Sequence, residues 1–211
     1  MDNIYIAVVN QNYAADIPHQ DIPGTDLCCI VKTYHDRSSF PHVVTTQDLQ
    51  AEKLTDEELF ERSYPSVSPD HYCIRSIEQA LGGAMGEEIA SDLTADLPHR
   101  TIFVVSNKDG LDGASVLASP EAMQLIQEHL GGSELIIIPS SVHEILVLRR
   151  EDAPGVSELN QIIREVNQAE VSEKSRLADH AFSFNGRLSI ACDEALSQDQ
   201  KCTQKKERIL V

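Results

Sequence analysis

Apolar and polar residues alternate along this chain in short blocks, and the blocks sharpen towards the C-terminus. Residues 4–9 and 27–31 read as apolar strands, and residues 42–46, rich in β-branched side chains, read as a third. Thr55-Asp-Glu-Glu58 ahead of Leu59-Phe60 has the form of a capping box, so a helix starts near Thr55. It ends by Tyr64, because Pro65 disfavours helix at the residue before it. Ile74, Ile77, Ala80 and Leu81 fall at helical spacing, with Gly82-Gly83 as the stop.

Beyond Arg100 the pattern predicts strands at 101–105 and 114–117 with turn chemistry at Asn107-Lys-Asp-Gly110. Ser119-Pro120-Glu121 is a helix entry, followed by an apolar face of Ala122, Met123, Ile126 and Leu130. Strands at 135–138 and 145–148 follow, then an amphipathic helix through Val156, Leu159, Ile163 and Val166. Residues 181–184 and 188–191 form a hairpin around Asn185-Gly186. The ββαββαββ order of this half predicts an α+β fold, with helices on one face of a mostly antiparallel sheet. Glycines, acids and Pro98 at 82–98 mark a boundary between an N-terminal half, 1–98, and a C-terminal signature region, 99–192. A polar tail fills 193–211, and the whole reads as one continuous globular unit.

Composition narrows the function. With 17 Lys and Arg against 34 Asp and Glu the formal charge is −17, which opposes binding to nucleic acid or an anionic membrane. An acidic decoy that mimics DNA is the one nucleic-acid reading that this charge favours. No apolar stretch approaches a membrane span or a signal peptide. The 5 cysteines are an odd set without CxxC spacing, as expected of reduced thiols in a cytoplasmic protein.

Candidate chemistry concentrates in Ile136-Ile-Ile-Pro-Ser-Ser-Val-His-Glu144, where two core strands flank a polar hinge. Ser140, Ser141, His143 and Glu144 there make either a binding site or a hydrogen-bonded corner. A small hydrolase using Ser141, His143 and Glu144 is the catalytic alternative, although so short a spacing disfavours a Ser–His contact and no GxSxG elbow is present. His143-Glu144 is not a zincin motif, because Val147 stands where the second histidine belongs. Cys28-Cys29 and Cys73 sit among apolar residues as small core side chains do. Gly110-Leu-Asp-Gly113 with Lys108 reads as a hairpin loop before it reads as an anion-binding turn. Nothing in the residues calls for a cofactor or a metal.

Val104-Val-Ser-Asn-Lys108, Gly113-Ala-Ser115, Ile138-Pro-Ser-Ser-Val-His-Glu144 and Arg164-Glu-Val-Asn167, in that order and spacing, resemble a bacterial family of uncharacterised proteins, domain of unknown function family 5688. The resemblance is specific over 100–191 and weaker upstream. Ser106 stands where that family has Thr, and Val142 where it has Ile. It implies a bacterial cytoplasmic protein and marks Asn107, Gly113, Ser140, Ser141, His143, Glu144 and Asn167 as signature positions. It brings no activity with it. The expectation is therefore a binding or protein-interaction module for an unidentified protein or small molecule, with Asn107, Ser140, Ser141, His143 and Glu144 as ligand-binding candidates.

Overall fold

A computed structural model describes residues 3–34, 40–86 and 101–193. Most of the polar tail and most of the boundary expected at 82–98 lie outside the described residues. Two antiparallel sheets organise the described residues. The smaller has four strands: β1 (Ile4–Asn10), β2 (His19–Asp21), β3 (Leu27–Thr33) and β4 (His42–Val43). Strand β3 lies at its centre, pairing with β1, β2 and β4. The larger has six strands in the order β10-β9-β7-β8-β6-β5. These are β5 (Tyr72–Ser76), β6 (Phe103–Asn107), β7 (Leu135–Ser141), β8 (Glu144–Arg149), β9 (Phe182–Phe184) and β10 (Leu188–Ile190). The α+β expectation holds.

Five helices accompany the sheets among the described residues. They are α1 (Thr46–Glu52), α2 (Asp56–Ser63), α3 (Ile77–Met85), α4 (Pro120–His129) and α5 (Val156–Ala169). Thr55 caps α2 through the capping box read from the sequence, and Ser119 caps α4 with Pro120 in its first turn. None of the helices is long and apolar enough to cross a membrane.

The helices flank the large sheet on both sides, not on one. Leu135 and Ile137 of β7 pack into the main core with Met123 and Ile126 of α4, whereas Ile136 packs with Val156, Leu159 and Ile163 of α5. Alternate residues of a strand face opposite sides, so α4 and α5 lie on opposite faces of β7. The main core also takes Ile6, Val8 and Val31 from the small sheet and Leu59 and Phe60 from α2. One apolar interior therefore joins the two sheets.

Three expected elements differ. The strand at 114–117 is a 3-10 helix, Gly113–Ala118, so the C-terminal order ββαββαββ becomes βαββαββ. Gly113 to Leu117 are buried throughout, and a continuous apolar run cannot separate strand from buried helix by periodicity. The strand at 42–46 stops at Val43, because Thr45 caps α1 with its side chain and Asp48 answers on the Thr45 amide. The helix expected from Ile74 begins only at Ile77, since Tyr72 to Ser76 pair with β6.

Candidate functional site

The polar hinge is a tight connection between β7 and β8, with Ser141 paired to Glu144 and the turn made by Val142 and His143. Pro139 does not end β7. It sits inside the strand where the register shifts between Ile138 and Ser141, a place where a ladder tolerates the missing proline N–H. Ser140 Oγ donates to Glu144 Oε1 at 3.3 Å, and the His143 amide donates to Ser141 Oγ at 3.1 Å. The Val142 amide donates to the Ser175 carbonyl at 2.9 Å, and the Val142 carbonyl accepts from the Ala114 amide. Ser106 Oγ donates to the His143 carbonyl at 2.7 Å. Each residue from Ser140 to Glu144 is thus held by a neighbour.

The centre of the polar constellation is Asp112. It adopts a left-handed backbone (φ 54°) and is buried to 2% exposure. Its carboxylate accepts from Lys32 Nζ at 2.8 and 2.9 Å and from the Tyr5 hydroxyl at 2.9 Å. Its amide donates to His143 Nδ1 at 3.1 Å. Burial and the charge of Asp112, reinforced by the hydrogen bond to it and by Tyr34, raise the Tyr5 hydroxyl well above its ordinary range, so that it stays a donor. Residues from β1, β3, the loop after β6 and the β7–β8 turn meet at one point.

Gly113 makes that meeting possible. A Cβ there would land on Ser106 Oγ, on the His143 carbonyl oxygen and on the Asn107 amide nitrogen. The loop can approach the hinge this closely only without a side chain.

Of the residues singled out from sequence, His143 touches the Asp112 centre, while Ser140, Ser141 and Glu144 surround the turn. Asn107 closes the loop by bonding the Leu111 amide and carbonyl through its own amide group, and so delivers Asp112 and Gly113. Asn167 lies apart on α5, donating to the Ala178 carbonyl and to Asp179. Tyr5, Lys32 and Asp112 were missed. Lys32 carries a readable signal, being the single cation in the otherwise apolar run Leu-Cys-Cys-Ile-Val-Lys-Thr of β3. Asp112 carries a weaker one, an acid between Leu111 and Gly113 in a loop otherwise read as plain turn chemistry.

The family model for a family of unknown function, DUF5688, matches residues 2–186. The chain belongs to DUF5688. The match takes in β1 and β3 as well as most of the signature region, so Tyr5 and Lys32 lie inside the part of the chain that this DUF5688 assignment spans. No curated protein and no solved structure matches.

Other chemistry in this DUF5688 chain lies away from the corner. Cys28 and Cys29 are buried in β3, and burial pushes their thiols up to about 11 and about 12, with the charge of Asp21 adding at Cys28 and that of Cys28 at Cys29. They are protonated core groups, as their place in the apolar run suggests. An apolar groove of about 170 Å³ runs between β5, β6 and α4, lined by Tyr72, Cys73, Ile74, Leu125 and His129 among others. Among the described residues no three His, Cys, Asp or Glu side chains group to hold a metal ion.

Proposed function

We propose that this protein is a non-enzymatic binding module of the bacterial cytoplasm. Its site is the polar corner formed by Ser140, Ser141, His143, Glu144 and Asn107 over the Tyr5–Lys32–Asp112 centre. The observation that carries the reading is the buried Asp112 carboxylate, held by Lys32 and Tyr5 on a left-handed backbone. Hydrophobic residues of similar volume would stabilise a fold at least as well as a buried ion pair does. A non-glycine residue at positive φ adds its own cost, and such combinations gather where a protein holds a site in shape. The occupant is a small polar molecule or a polar segment of a partner protein.

The contacts favour binding over hydrolysis. Ser141 Oγ accepts from the His143 amide, and the imidazole Nδ1 accepts from the Asp112 amide. No hydrogen bond among the described residues links the Ser141 hydroxyl to the His143 ring, as a general base would require. The free thiols of Cys28, Cys29, Cys73 and Cys192 suit a reducing compartment.

Thermal unfolding of the wild type and of a His143→Ala/Glu144→Ala variant, each with nucleotides, amino acids, sugar phosphates and divalent metals in turn, tests the proposal. The expected result is one class that raises the wild-type midpoint and leaves the folded variant unmoved. Turnover of a chromogenic ester by the wild type, abolished by Ser141→Ala, would replace this reading with the hydrolase.

A further inference from the structure

Residues 172–181 run from the corner to the far end of the small sheet as a strap. At one end the Ser175 carbonyl accepts the Val142 amide of the hinge turn. Tyr13, in the turn after β1, donates its hydroxyl to the Glu173 carbonyl at 2.7 Å. At the other end His180 Nε2 lies 3.2 Å from Asp26 Oδ2, on the turn that leads into β3. Asn10, the last residue of β1, donates one N–H of its side-chain amide to that same Asp26 oxygen and the other to the Leu177 carbonyl, both at 3.0 Å. The result is a closed ring: His180 grips Asp26, Asp26 orients Asn10, and Asn10 holds the strap again at Leu177.

The ring requires a particular protonation state. His180 Nε2 faces a carboxylate oxygen, and its Nδ1 faces the Ala181 carbonyl oxygen at 3.3 Å. Both partners are acceptors, so both ring nitrogens must be donors, and only the imidazolium supplies two. The charged groups acting on His180 are Asp26 and, beside it on the strap, Asp179, both negative. Helix α5 packs on the strap through neutral groups, Asn160 on the Ala181 amide and Asn167 on the Ala178 carbonyl and Asp179. Strand β9 contributes the Phe182 ring, edge-on to the imidazole at 4.9 Å. Asp26 Oδ1 is buried without a hydrogen-bond partner among the described residues, so the carboxylate's side-chain hydrogen bonds to His180 and Asn10 both run through Oδ2.

We infer that His180 is a proton-operated latch: as imidazolium it fastens the strap to the small sheet, and loss of its proton loosens the strap and with it the Ser175 hold on Val142. Deprotonation turns one ring nitrogen into an acceptor facing an acceptor and removes the charge opposite Asp26. Asn10 then loses the fixed carboxylate that orients it towards Leu177. The consequence for a ligand at the corner rests on the binding reading above. The release of Val142 does not, so the two can fail separately.

The test needs no ligand. Amide hydrogen exchange of Val142, corrected for the intrinsic pH dependence of exchange, is followed by NMR between about pH 5.5 and 8.5, the span of histidine titration. The His180 ring is titrated in the same samples. Val142 protection should fall as His180 loses its proton, on the order of tenfold for each unit by which latching moves that titration. The amide of Ile137, in the centre of β7, should keep its protection. His180→Gln, and separately Asp26→Asn, should give low Val142 protection that no longer follows pH. Constant Val142 protection while the ring titrates, or wild-type pH dependence in a folded His180→Gln, overturns the latch. So does a loss of protection at Val142 and Ile137 together, which would mean that His180 acts on global stability alone. Should both variants fail to fold, the wild-type comparison of Val142, Ile137 and the ring still decides.

Discussion

The amide of Asp112 donates to Nδ1 of His143 across a separation of 31 residues, and that bond sets the tautomer of the imidazole. A nitrogen that accepts from an N–H carries no proton, so neutral His143 bears its hydrogen on Nε2. Long-range nitrogen–proton correlation spectra of the ring should show the Nε2-protonated form. An Nδ1-protonated neutral ring would contradict the geometry.

The Lys32–Asp112 pair should behave as a buried pair does when broken from one side. Asp112 is 2% exposed and Lys32 21%. Asp112→Ala strands the ammonium and leaves the Tyr5 hydroxyl without its acceptor, at a loss of about 3 kcal/mol in denaturant unfolding. Lys32→Met leaves the carboxylate with Tyr5 alone and should cost a similar amount. Lys32→Met/Asp112→Ala together should cost clearly less than the sum of the two, because the double variant abandons no charge.

Gly113→Ala should destabilise more than an exposed glycine replacement would. The added methyl meets the His143 carbonyl and the Asn107 amide, which are backbone atoms of the β7–β8 turn and of β6 and cannot swing aside. A loss of about 3 kcal/mol follows, or failure to fold. Gly131→Ala is a poor control, because its positive φ of 100° strains any side chain. Gly83→Ala meets open space and should be mild.

Ser140→Ala and Glu144→Gln should leave stability within about 1 kcal/mol of wild type. Their mutual bond is long and only half buried. These variants therefore report on binding at the corner, and a ligand-induced shift that disappears in them while the apo midpoint stays put would locate the site.

Stability should fall on both sides of a window set by His180 and Asp26. The hydrogen bond to Asp26 raises His180 against the opposing effect of burial, with the charge of Asp26, the Ala181 carbonyl and Asp179 adding to the rise. A raised histidine stabilises fully below its ordinary value, and the contribution is lost as pH rises through the folded value. Burial opposes ionisation of Asp26, but the hydrogen bond and charge of His180, with backbone and Asn10 hydrogen bonds, outweigh it and hold the carboxyl below its ordinary value. That contribution is present above the ordinary value and lost as pH falls through the folded one. Urea midpoints of the wild type should decline at each end, and His180→Gln should flatten the alkaline limb.

Local patterning made much of the fold legible. The capping box at Thr55, the Ser119-Pro120 entry and the Asn185-Gly186 hairpin each rest on a few adjacent residues, and each stands where it was read. The 3-10 helix after Gly113 was illegible because burial on every side erases periodicity. The corner was half legible for a related reason. Ser140, Ser141, His143 and Glu144 adjoin in the chain, whereas Asp112 acquires its meaning from Tyr5, 107 residues away, and Lys32, 80 away. Nothing local distinguishes an acid that will be buried against a distant lysine from one that will face water.

That long reach has a consequence during synthesis. A chain emerging N-terminus first can pair β1 with β3 early, but Asp112 must then arrive to meet Tyr5 and Lys32, and Val142 must wait for Ser175. Contacts of such high sequence separation form late, after loop closure has been met. Until residue 175 clears the ribosome the hinge cannot be completed. A nascent or truncated product that stops short of it thus carries the Val142 amide without its native partner, and exposes itself to quality control before it can present a finished corner.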